Sequence, residues 1–171
     1  IATFVTLIYF TVLDGIGEVL RKTGLQPSAV GLIIHGTTLA TNALIQRSGA
    51  RTALLTTAGH RDALKMAHED RFEQYDIMID RPRPLVPRHL RLEIRERLDA
   101  QGQVVAALQM EDVDRAVEFI RRHDVQAVAI CFLYSFLNDA HERAVGARLR
   151  AALPGVPVFL SSEVLPEIRE F

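Results

Sequence analysis

Short, uninterrupted apolar runs separated by helix-length amphipathic segments are the feature that most restricts this chain. Val30–Ile34, Thr52–Thr57 (TALLTT), Ala127–Leu133 and Val156–Leu160 lack the polar alternation of a half-solvated strand. Val30–Ile34 is short and apolar, as a buried parallel strand should be; Ala127–Leu133 reads as a buried strand, and Thr52–Thr57 and Val156–Leu160 as further strands. Between them, Thr38–Gln46 is expected to be helical, with Leu39, Ala43 and Leu44 facing in and Ser48-Gly49 ending it. Gly59–Met66 begins a shorter helix, followed by the polar stretch Ala67–Asp76. Glu111–Arg122 carries an inward stripe of Val113, Ala116, Val117 and Ile120, and Asn138–Leu153 opens at an Asx cap. Strands alternating with helices require crossover connections. The order predicts an α/β fold with a parallel or mixed sheet.

Three segments depart from that rhythm. Ile1–Phe10 (IATFVTLIYF) is β-branched and aromatic and reads as a strand. Thr11–Asp14 then has the form of a capping box, Val12, Ile16, Val19 and Leu20 continue a helical stripe, and Gly24 is its expected stop. No turn residues separate this strand from this helix. Asp80–His89 (DRPRPLVPRH) holds three prolines and can be neither helix nor central strand, which makes it the expected lobe boundary. Beyond it, Leu90–Leu98 alternates Leu90, Leu92 and Ile94 against Arg91, Glu93 and Arg95, a half-exposed strand. Ala100–Gln103 is a turn after which Val104-Val105 can return as a hairpin strand.

Charge and cysteine content narrow the functional classes. Lys+Arg number 20 against Asp+Glu 21, so the basic excess of a nucleic-acid binder is missing. One cysteine, Cys131, excludes an intrachain disulfide and suits a reducing cytoplasm; inside an apolar strand it reads as a core filler. No apolar run reaches the roughly 18–20 residues of a membrane-spanning helix. The expectation is a soluble, globular, cytoplasmic protein with no nucleic-acid or membrane partner.

Four segments could carry chemistry. In His35-Gly36-Thr37-Thr38-Leu39-Ala40-Thr41-Asn42 a strand ends, glycine permits close backbone approach, and two threonines open a helix whose unpaired N–H groups suit phosphate or carboxylate. Equally, Thr37 or Thr38 could simply cap the helix. The motif is not a Walker loop, since no Gly-Lys-Ser/Thr follows. Thr56-Thr57-Ala58-Gly59-His60-Arg61-Asp62 repeats the pattern at a second strand end, either as a crevice wall or as a cap and turn with Arg61 and Asp62 solvated. His68-Glu69-Asp70-Arg71 reads as a polar loop without metal-ligand spacing. Ser162 and Glu163, after the last strand, could line the same crevice or cap the next helix. His123 and His141 are placed on helix surfaces with no role.

The order of these segments resembles the N-terminal region of the hydantoinase A / 5-oxoprolinase family. The resemblance is carried by His35-Gly36-Thr37-Thr38-Leu39-Ala40-Thr41-Asn42-Ala43-Leu44 and by Gly49–Asp62. It continues through Pro84-Leu85-Val86-Pro87-Arg88, Glu96-Arg97-Leu98-Asp99, Ala127–Cys131, Asn138-Asp139-Ala140-His141-Glu142 and Ser161–Glu170. It implies an actin-like (ribonuclease H-like) ATPase lobe over residues 1–82 and a second α/β lobe over 83–171. It also implies ATP with a divalent metal (Mg or Mn), and association as a homo-oligomer or with a hydantoinase B-type subunit. The implied reaction opens a cyclic amide such as hydantoin, N-methylhydantoin or 5-oxoproline by phosphorylating its oxygen. Alternatives are a subunit of an ATP-dependent acetone or acetophenone carboxylase, or a non-catalytic nucleotide- or sugar-binding actin-like domain.

On this resemblance Gly36, Thr37, Thr38, Asn42, Thr57 and Gly59 would bind the nucleotide, and His68, Arg71 and Glu163 the substrate. No residue is assigned to catalysis. The family's Asp-x-Gly-Gly-Thr-Phe-Thr-Asp phosphate hairpin is missing: Ile1-Ala2-Thr3 resembles the strand before it and Phe4–Phe10 the strand after it. The chain is therefore expected to be part of a longer, two-halved ATPase and not to hydrolyse ATP by itself. Thr38→Val keeps the side chain's shape and removes a donor. It is expected to weaken ATP affinity more than it lowers the melting temperature; the opposite result would mark Thr38 as a cap.

Overall fold

The computed structural model describes residues 2–31, 39–66, 75, 76, 78 and 83–168, in two compact units, Ile1–Gln46 and Arg47–Phe171. The first unit holds helices α1 (Ala2–Thr23) and α2 (Leu39–Gln46). The second holds β1 (Thr52–Thr57), α3 (Ala63–Met66), β2 (Arg91–Ile94), β3 (Arg97–Leu98), β4 (Val104–Ala106), α4 (Met110–Arg122), β5 (Ala127–Cys131), α5 (Ala140–Ala152), β6 (Val158–Leu160) and α6 (Ser161–Val164).

In the first unit the expected strand Ile1–Phe10 is instead helix from Ala2 onward, continuous through Thr11 to Thr23, so the supposed capping box lies inside α1. A ten-residue apolar run has no period that separates helix from strand, and a helix satisfies its own backbone without a pairing partner. The missing turn residues fit one continuous element. Gly24, at φ +68°, ends it as expected. α2 forms where expected, but Leu39 and Leu44 are 68% and 56% exposed and no residue of α2 is buried, so its apolar face is not turned inward as the pattern implied. The expected strand Val30–Ile34 falls mostly among residues 32–38, outside the described residues. No helix among the described residues is long and apolar enough to cross a membrane.

The second unit is an α/β layer. Its four-stranded sheet has the order β2-β1-β5-β6, and every neighbouring pair is parallel. β1 forms where expected and lies inside the sheet, and Ala53, Leu54, Leu55, Thr56 and Thr57 are all buried. The registers Leu55↔Leu92, Leu55↔Ile130 and Ile130↔Leu160 set one layer of side chains facing the core. Val113, Ala116, Val117 and Ile120 of α4 and Val145 and Leu149 of α5 close over that layer. Gly146 lets α5 approach β6, since a Cβ there would meet Leu160 Cδ2 at 2.9 Å. The expected single strand Leu90–Leu98 is split at Arg95, whose backbone N–H is taken by Asp112. Arg91–Ile94 is β2 of the four-stranded sheet. Arg97–Leu98 is β3, which pairs with β4 in the expected antiparallel hairpin. The proline-rich segment joins β1 to β2, which are adjacent strands of this one sheet.

One arginine departs from its alternation pattern. Arg91 was expected to point to solvent, yet its side chain is 2% exposed. Its guanidinium is held by the carbonyls of Val86 and Arg61 and stands 3.5 Å from Asp62, which compensates a cation at a buried edge position. A second polar tie joins α4 to the end of β2. Arg95 donates through its backbone N–H (2.9 Å), Nε (2.8 Å) and Nη2 (2.9 Å) to Asp112, and Arg115 also reaches that carboxylate.

Two measurements test this packing. Leu55→Ala, at a 0% exposed site, is expected to cost about 2–5 kcal/mol in urea unfolding. Phe159→Ala, at a 53% exposed site, is expected to cost less than about 1 kcal/mol. The bonds from Arg95, opposed by burial, hold the Asp112 carboxyl at about 2 against an ordinary 3.8. Folding therefore favours the ionised form, whose contribution is complete above about pH 4 and is lost as the pH falls through 2. With both arginines largely solvated, that contribution is about 1–2 kcal/mol. Asp112→Asn is expected to remove it at pH 7 and to flatten the acid limb of stability between pH 4 and pH 2.

Candidate functional site

Parallel strands bring their carboxyl ends to one edge. Here that edge carries the segments after β1 (Ala58–Asp62), β2 (Arg95–Arg97), β5 (Phe132–Ser135) and β6 (Ser161–Glu163). The chain leaves β1 for β2 on one side and leaves β5 for β6 on the other, so the strand order diverges between β1 and β5. Ligands of open α/β sheets gather at such a divergence.

The turn after β1 begins with Ala58 N–H donating to the Ile94 carbonyl (2.9 Å) and His60 N–H to the Thr57 carbonyl (3.0 Å). Gly59 sits at φ +87° with open space where a Cβ would stand, so glycine is required for conformation and not for room. The turn borders a cleft of about 440 Å³ lined by Gly59, His60, Arg61, Asp62, Ala63, Met66, Arg88 and Glu93. Asp62 takes a two-pronged pair from Arg88, Nε to Oδ1 at 2.9 Å and Nη2 to Oδ2 at 3.0 Å. This pair chiefly holds the Asp62 carboxyl below its ordinary range and raises Arg88, whereas burial lowers Arg91. Glu93 accepts the Gly59 N–H at 2.8 Å. Arg61 donates Nη2 to the Arg88 carbonyl at 2.9 Å. Arg97 Nη1 lies 2.8 Å from His60 Nε2, which must be the acceptor because a guanidinium only donates.

Beneath the edge run two buried carboxylates. Leu133 N–H donates to Thr57 Oγ (3.0 Å), Thr57 O–H donates to Glu96 Oε1, and His141 Nδ1 donates to Glu96 Oε2 at 2.8 Å. The Glu96 side chain is 0% exposed and that of His141 13%. Glu142 accepts four bonds: Phe132 N–H (3.0 Å) and Ser161 Oγ (2.7 Å) at one oxygen, Ser162 N–H (3.0 Å) and Ser162 Oγ (2.7 Å) at the other. Ser135 Oγ, 3.0 Å from Ser161 Oγ, supplies the next donor in the chain.

Of the residues singled out from sequence, Thr57 and Gly59 come together at the end of β1. The Thr57 hydroxyl is committed to Glu96 and Leu133, so it supports the edge from below. Glu163 lies exposed on α6, 3.4 Å from Arg150. Asn42 is exposed on α2 in the first unit. Gly36, Thr37, Thr38, His68 and Arg71 lie outside the described residues.

Sequence reasoning gave Glu96, His141 and Glu142 no role beyond the resemblance, and it placed His141 on a helix surface where the structure leaves its side chain only 13% exposed. A signal was available. His141, Val145 and Leu149 share one stripe of α5, Glu142 and Gly146 the adjacent one, and Val145, Gly146 and Leu149 are buried. Glu142→Gln would turn an N–H₂ toward donors and is expected to lower stability by about 2–4 kcal/mol in thermal or urea unfolding. Ser162→Ala, which removes one of four donors, is expected to cost about 1–2 kcal/mol.

Comparison with known proteins agrees with this architecture. The chain is 38% identical over 164 residues to the caprolactamase alpha subunit of Pseudomonas jessenii, an alignment covering 92% of this chain and 24% of that one. It is 35% identical to the acetophenone carboxylase gamma subunit of Aromatoleum aromaticum, covering 83% and 21%. The crystal structure of the ATP-dependent caprolactamase superposes with a TM-score of 0.73 over 93% of this chain. Nucleotide-free acetone carboxylase does so with a TM-score of 0.66 and 28% identity over 75%. The chain thus spans about a quarter of the length of the relatives it matches. The family model for the hydantoinase/oxoprolinase N-terminal region matches residues 9–153, and the chain belongs to that family.

Proposed function

We propose that the protein containing this chain is an ATP-dependent enzyme that activates the oxygen of a cyclic amide for ring opening. The observation that carries this reading is the family match along residues 9–153, taken together with the likeness to an ATP-dependent caprolactamase. An unstrained amide is a poor electrophile. ATP would phosphorylate its oxygen and leave as ADP, and water would add to the activated carbon. The ring C–N bond would then break, and a second water would release the phosphate. The protein's part is then to hold the reactants at fixed distance and to stabilise the charge that develops.

In this proposal Gly36, Thr37, Thr38, Asn42 and the Gly59 turn approach the nucleotide, with Thr57 as a strut below. His68, Arg71 and Glu163 face the substrate. Among the described residues no group of three or more His, Cys, Asp or Glu side chains could hold a metal ion, so the divalent ion expected with ATP finds no ligand set in them. A companion subunit of hydantoinase B type completes the enzyme, in keeping with relatives named as alpha and gamma subunits.

The second reading, an ATP-dependent ketone carboxylase subunit, is favoured by the likeness to acetophenone and acetone carboxylases. The two share a step in which a carbonyl-derived oxygen is activated. The test is ATP hydrolysis by the full-length protein with its companion subunit. Stimulation by caprolactam, 5-oxoproline or a hydantoin is expected. Stimulation by acetone or acetophenone with bicarbonate alone would move the assignment to the carboxylase, and no stimulation by either group would overturn both.

A further inference from the structure

The cleft beside Gly59 contains an imbalance that its internal pairing leaves open. Two guanidiniums (Arg61 and Arg88) and two carboxylates (Asp62 and Glu93) line it, and a third guanidinium, that of buried Arg91, stands 3.5 Å from Asp62. Asp62 is bound by Arg88 and approached by Arg91. Arg61 is the guanidinium left over: no carboxylate pairs with it among the described residues, and its Nε is buried without a hydrogen-bond partner. A buried charged donor is costly unless an acceptor reaches it, and a guanidinium edge is shaped for a carboxylate or a phosphoryl group. A second donor, the Gly59 N–H, points to the same chemistry because a carboxylate, Glu93, already occupies it at 2.8 Å.

We propose that this cleft is an oxyanion-binding site in which Arg61 recognises the anion and Glu93 is a built-in competitor for the Gly59 N–H. The entering oxyanion pairs with the Arg61 guanidinium and displaces Glu93 from the turn. A cleft of about 440 Å³ accommodates a small organic acid or a phosphate group. The proposal rests on the geometry of the cleft and not on ATP-dependent turnover, so binding is measured without catalysis.

The experiment is calorimetric titration of the full-length protein with inorganic phosphate, with 5-oxoproline, and with 2-pyrrolidinone, the same ring without the carboxylate. Glu93→Gln keeps an acceptor for Gly59 and removes the competing charge; it is expected to tighten oxyanion binding by about three- to tenfold. Arg61→Met is expected to weaken it by at least about tenfold. Phosphate binding with this pattern supports the site and assigns a phosphoryl ligand. Binding of 5-oxoproline but not 2-pyrrolidinone with this pattern supports it and assigns a carboxylate. Equal binding of 2-pyrrolidinone and 5-oxoproline together with no phosphate binding, or affinities unchanged by Glu93→Gln, would overturn it. If Arg61→Met fails to fold, the direction of the Glu93→Gln effect decides alone.

Discussion

Two consecutive residues in the first turn of α5 hold the working edge of the sheet together. His141 grips Glu96 beyond β2, and Glu96 receives the Thr57 hydroxyl from the end of β1. Glu142 gathers the first N–H beyond β5 and the opening of α6 beyond β6. A parallel sheet needs such closure. Where its strands stop, their backbone donors lose ladder partners, and no water reaches a buried end to replace them. Carboxylates solve the problem because each offers several acceptor sites and no donor. A fully satisfied network is rigid, so the four strand ends are held in one arrangement beneath whatever binds above them.

The edge thus has two layers of different character. The lower one is dry and saturated. The upper one, around Gly59, Arg61, Arg88 and Glu93, is open and contains a donor without an acceptor. Thr57 connects the layers: its backbone carbonyl takes the His60 N–H of the upper turn while its hydroxyl belongs to the lower chain. A rigid base under a short glycine turn is what precise placement of a reacting group demands.

Much of the second unit was legible in the sequence. TALLTT is β1 to the residue, and the inward stripe of α4 is the buried one, because a 3.6-period apolar pattern admits one burial geometry. The β3–β4 hairpin followed from its turn. The failures have physical causes as well. The run beginning at Ile1 satisfies helix and strand alike by composition. Leu39 and Leu44 are apolar without being covered, since a pattern states which residues belong inside and not what will cover them. Arg91, Glu96, His141 and Glu142 are polar residues whose burial depends on partners far along the chain: Glu96 finds His141 across 45 positions and Thr57 across 39. Such pairing leaves no local trace beyond a place on an otherwise apolar stripe.

The central position of β1 has a consequence for synthesis. Of the four parallel strands it emerges first from the ribosome, yet its partner on one side, β5, begins 75 residues later, where Gln126 meets Arg51. At translation rates of about 5–20 residues per second, an apolar strand with an unpaired edge waits roughly 4–15 s for the neighbour that covers it. During that interval the most buried segment of the finished domain is its most adhesive one. The nascent chain is therefore most exposed to aggregation before α4 and β5 arrive.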